Sequence, residues 1–106
     1  MKKILILIIL LTVSTNIIFN DAYLNGYMLF YLIRSNLIYK NKLATQYILG
    51  IVDTNYPTCN WKLTGVTGDQ LTQITKNFLE KHPESWNYNA SILVYFAIKE
   101  AYPCKK

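Results

Sequence analysis

Histidine is nearly missing from this chain. His82 is the only one in 106 residues, and only two cysteines, Cys59 and Cys104, accompany it. A zinc site of recognised spacing draws several His and Cys ligands. No second His or free Cys completes one here, even with Glu80 and Glu84 flanking His82, so no cofactor or metal is expected. GxSxG, CxxC, HExxH and a glycine-rich phosphate loop are all absent, which removes the common signatures of acyl transfer, thiol redox, metalloprotease and nucleotide chemistry. His82 stands before Pro83 at a helix end, where its ring meets the carbonyl end of the helix dipole. A small hydrolase would need His82 for turnover, and catalysis is not expected. Lys and Arg form no run although the formal net charge is +5, and so diffuse a charge is no nucleic-acid footprint. The chain also has no linker, repeat or low-complexity tract, and its strand signals are weak.

What the chain does have is unevenly placed. MKKILILIILLTV puts Lys2 and Lys3 ahead of an apolar run from Ile4 to Leu11, the charged and apolar regions of a secretory signal peptide. A spanning helix needs about 20 apolar residues, and Ser14, Thr15 and Asn16 interrupt any longer span. Residues 1–22 are therefore read as a signal peptide cut after Ala22, with a retained anchor as the alternative. Residues 23–106 then form a single exported domain whose membrane contact is confined to the signal segment. Small exported domains commonly carry a covalent staple. With two cysteines only one intramolecular pairing exists, Cys59 with Cys104; unpaired thiols or pairing between chains are the alternatives.

Helical spacing dominates the rest, and the expected fold is all-α, a small bundle of about four helices. Tyr27, Met28, Tyr31 and Leu32 recur at helical steps between Leu24 and Ser35. After the polar break Arg34 to Asn36 and a charged turn Lys40 to Lys42, a second helix carries Leu43, Tyr47, Ile48, Ile51 and Val52 on one face, with Gly50 marking a close backbone approach. Pro57 and Gly65 place TNYPTCNWKLTG in an irregular loop. Thr67 and Gln70 have the spacing of a capping box for a third helix lined by Leu71, Ile74, Phe78 and Leu79. His82 and Pro83 stop it. Asn89 or Ser91 caps a last helix with Ile92, Leu93, Phe96, Ala97 and Ala101 toward the core.

Aromatic residues stand out, with nine Tyr and two Trp. Tyr56, Trp61 and Lys62 fall in the long loop, and Trp86 and Tyr88 in the loop before the last helix. Amphipathic aromatics are enriched at protein interfaces, so these five residues are the expected partner contacts; covering a small core is the competing role for each. On the contact reading, Trp61→Ala weakens partner binding and leaves helix content unchanged.

The order of motifs in the second half resembles the Rap/Tai immunity proteins associated with type VI secretion. The run YILGIVDT is followed by a Cys in a loop, then GVTGDQLTQITKNFLEKHPE, then ASILVYFAIKEAYPC, covering about Tyr47 to Cys104. The resemblance implies an exported helical protein of the periplasm, commonly dimeric, that protects its producer by occluding a secreted peptidoglycan amidase. The positions of Cys59 and Cys104 are cysteines in that family. A further cysteine pair found in many members is missing as a pair, with Ile33 and the Leu43 to Ala44 region at those places. The segment Ser85 to Asn89 also departs from the family's turn, and the shared motif carries over no effector contacts. A periplasmic helical chaperone or envelope-stress protein is the alternative on the same scaffold.

Overall fold

The computed structural model describes residues 24–59, 61 and 63–104. The expected signal segment lies outside the described residues, as do Lys62 and the side chain of Tyr56. Among the described residues the chain forms four α-helices and no strand: α1 Gly26–Arg34, α2 Ile38–Cys59, α3 Gly68–Lys81 and α4 Ala90–Ala101, with a 3-10 turn at Pro83–Ser85 before α4. The expected all-α bundle is what forms, and α2 packs against all three other helices.

The core is built from rows at four-residue steps. Ala44, Ile48 and Val52 of α2 face Leu71, Thr75 and Leu79 of α3, and Ala90, Val94 and Ile98 of α4 complete the row with Leu93 and Ala97 beside them. Buried Thr75 donates its hydroxyl to the Leu71 carbonyl at 2.9 Å, so it places no unsatisfied polar group in the interior.

Two faces differ from the periodic reading. In α1 the buried residues are Gly26, Leu29 and Phe30, while Tyr27 and Tyr31 are exposed; in α4, Ile92 and Phe96 are exposed as well. Both helices are apolar nearly all round, and such a sequence does not select a face by periodicity. Leu43 is also exposed, and Gly50 has open space around it.

Helix α2 is longer at both ends than its apolar stripe. Lys40 to Lys42 belong to its first turns because the break before them is closed by side chains. Ser35 Oγ accepts from the Leu37 amide at 3.1 Å. Asn41 Nδ2 donates to the carbonyls of Leu32, Ile33 and Ser35 at 2.9, 3.2 and 2.9 Å, satisfying the orphan carbonyls that end α1. At the far end, Thr54 Oγ1 and Asn55 Nδ2 donate back to the carbonyls of Gly50 and Ile51, each at 2.8 Å, which keeps residues read as loop formers inside the helix. Pro57 forgoes one helical bond, and the helix ends two residues later at Cys59.

The remaining punctuation follows the sequence more closely. Gly65 takes φ 83°, the left-handed conformation that favours glycine. Thr67 and Gln70 form the capping box, with the Gln70 amide donating to Thr67 Oγ1 at 3.1 Å and the Thr67 amide to Gln70 Oε1 at 2.8 Å. Asn89 occupies the N-cap position of α4 without a side-chain cap bond.

Candidate partner-binding surface

Cys59 and Cys104 are joined, with Cα atoms 4.7 Å apart across a sequence separation of 45 residues. The bridge ties the end of α2 to the segment after α4, and Tyr95 Oη lies 3.9 Å from Cys104 Sγ.

Trp61 sits just past this bridge and corrects the expectation placed on it. Its side chain is 1% exposed and packs beside the Tyr95 ring at 5.9 Å. Its Nε1 finds no acceptor among the described residues. A ring this deeply covered is core, out of a partner's reach, and its truncation acts on stability first. The backbone of Tyr56 lies in the last turns of α2.

Trp86 and Tyr88 come together with the start of α1. Trp86 Nε1 donates to the Leu79 carbonyl at 2.7 Å, and its ring meets Phe30 and Tyr27 edge-on at 4.9 and 5.4 Å. The backbone locks the same turn. The Gly26 amide donates to the Tyr88 carbonyl and the Tyr27 amide to the Trp86 carbonyl, both at 3.1 Å, while the Ala90 amide donates to the Leu24 carbonyl at 2.8 Å. Asn25 Oδ1 accepts from the Met28 amide at 2.9 Å, so three orphan donors at the helix start are satisfied. A Cβ on Gly26 would meet Trp86 Cα and O at 2.8 Å; only glycine permits this approach. Tyr88 is thus 59% exposed on a turn whose backbone is fixed.

Beside the turn lies an open groove of about 680 Å³ lined by Phe30, Arg34, Lys76, Glu80, Pro83 and Trp86. Arg34 lies over the Phe30 ring at 4.9 Å, so the groove presents an aromatic floor with two cations and one carboxylate at its edges. Sequence reasoning missed Tyr27, Phe30 and Arg34 here. Their role comes from docking of the 83–90 segment on α1, which no local pattern announces.

His82 ends α3, its amide donating to the carbonyls of Phe78 and Leu79 and its Nδ1 lying 3.2 Å from Glu84 Oε1. A bond from the backbone amide of Glu84, then the one with His82, holds the Glu84 carboxyl below its ordinary range. Burial pushes the Tyr47 hydroxyl up, partly offset by its hydrogen bonds with Ser91. Among the described residues no three His, Cys, Asp or Glu side chains gather as metal ligands, and no helix is long and apolar enough to cross a membrane.

A disulfide-closed helical domain that displays aromatic side chains on a fixed turn has the form of a protein-binding module. Residues 33–104 match the model of the Rap1a immunity proteins, and the chain belongs to that family. Its partner class is therefore a secreted effector. No curated protein matches the chain.

Proposed function

We propose that this protein is exported to the periplasm with removal of residues 1–22 and there binds a type VI secreted peptidoglycan amidase, inhibiting it and protecting the producing cell. The family match over residues 33–104 carries this reading. It acts by occlusion and has no chemistry of its own. The disulfide fits an oxidising compartment. Tight inhibition favours rigid anchors, because ordering a mobile loop on binding costs affinity, and the fixed turn with Trp86 and Tyr88 meets that need. Tyr56 and Lys62 are assigned to the same partner on their aromatic and cationic character; Trp61 supports the fold beneath.

The test is capture of partners by the exported protein from periplasmic extracts of its own bacterium and close relatives, followed by titration of the captured enzyme. One amidase should be retained, and its activity should fall as the complex forms. Many unrelated proteins, or none, would move the chaperone reading ahead.

A further inference from the structure

The first two turns of α2 carry a surface that neither the core nor the 83–90 turn uses. Leu37, Ile38, Tyr39 and Leu43 are 49%, 71%, 60% and 55% exposed. At about 100° per residue, Tyr39, Lys42 and Leu43 share the side of α2 turned away from the buried row Ala44, Ile48 and Val52, and Ile38, the first residue of the helix, is exposed at its end. Lys42 is exposed among the apolar groups. Lys40 reaches back to α1, where its Nζ donates to exposed Tyr31 at 2.7 Å, and this bond raises its pKa. Arg34 closes α1 beside them.

No Asp or Glu occurs from Leu24 to Val52, so Arg34, Lys40 and Lys42 are the only formally charged side chains over that part of the helical hairpin. The carboxylate of Glu80 lines the groove on Arg34's flank, and Asp53 lies further along α2. Exposed aliphatic side chains flanked by tyrosines and cations, with no acidic residue among them, suit a bilayer interface: the apolar groups enter the headgroup boundary, the tyrosines lie at its level and the cations meet anionic lipid. A second copy of the chain on this face would set the three cations against their own images without a carboxylate between them. A neutral apolar protein groove would leave the cations unpaired.

We propose that the α1–α2 hairpin is a peripheral docking site for a bilayer carrying anionic headgroups of the phosphatidylglycerol type. The hairpin tip and the Tyr88 turn lie at opposite ends of nine-residue α1, about 13 Å of helix, so a membrane-docked protein keeps that turn facing away from the lipid. The proposal stands on this hairpin alone and is independent of the amidase reading.

The test is co-sedimentation of the protein purified from the periplasm with two vesicle types, phosphatidylglycerol mixed with phosphatidylethanolamine, and phosphatidylcholine alone. Partition should be at least about tenfold stronger on the anionic vesicles and should weaken as salt rises. Lys40→Glu with Lys42→Glu should lower it by about thirtyfold or more. Ile38→Asp should lower it too, whereas Ile92→Asp, at an exposed apolar position on α4, should leave it unchanged. Circular dichroism and the intact bridge check folding, and the exposed lysine variant keeps the test valid if Ile38→Asp misfolds. Equal binding to both lipids, no vesicle binding, or indifference to the lysine change would each overturn the proposal. So would a dimer dissolved by Ile38→Asp without vesicle binding, which would assign the face to a second copy.

Discussion

Two tryptophans stand in the two loops of this chain, and the fold uses them in opposite ways. Trp61 is sealed just past the Cys59–Cys104 bridge, with no acceptor for its Nε1 among the described residues. Trp86 is half-buried, its Nε1 bonded to the Leu79 carbonyl and one flank open to the groove. A loop position does not decide exposure; what lies over the loop does. Tyr95 packs against the first ring, whereas the second is met by α1 and by the Leu79 carbonyl of α3 and is left open toward the groove.

The strongest way to break the contrast is to open the bridge. Cys104→Ser should destabilise the domain by about 4 kcal/mol on the chain-entropy account of a loop this long, measured by denaturant unfolding with and without reductant. Trp61→Ala should cost about 3 kcal/mol through the cavity it leaves, and Trp61→Phe less than half of that, since an aromatic ring still fills most of the space. Equal costs for the two would show that Trp61 is not tightly packed. Gly26→Ala should cost about 2 kcal/mol by driving a methyl group into Trp86, and faster amide exchange at Tyr27 and Ala90 would locate the damage. The smallest effect concerns acid. Because the folded-state pKa of Glu84 is lowered, its contribution is present above the ordinary carboxylate pKa of 4.5 and fades as pH falls through the lower folded value. Glu84→Gln should remove that part of the pH dependence and leave the neutral-pH melting temperature nearly unchanged.

Legibility in the sequence followed how local each determinant was. The capping box at Thr67 and Gln70 and the stop at His82 and Pro83 are written within a few residues, and both form. The pairing of Cys59 with Cys104 was legible because two cysteines leave one intramolecular choice. The inward faces of α1 and α4 were not, since Tyr27, Tyr31, Ile92 and Phe96 are as apolar in pattern as the residues that are buried. The ends of α2 were misread for a different reason: Asn41, Thr54 and Asn55 are loop formers by habit, yet here their side chains satisfy helix carbonyls. At the candidate site, Trp86 and Tyr88 were visible as loop aromatics, but Phe30 and Arg34 enter only through the tertiary docking of the 83–90 turn on α1. The family match begins at residue 33, so Tyr27 and Phe30 lie outside the shared portion.

Tyr88 offers the most direct test of the central claim, that a fixed aromatic turn is the recognition element, because its ring is exposed and its removal leaves the core intact. The decisive measurement is the affinity of Tyr88→Ala for the captured effector, taken together with its melting temperature. The account predicts at least about a tenfold loss of affinity with an unchanged melting temperature. Unchanged affinity would contradict it and move the recognition surface away from the turn that holds Trp86.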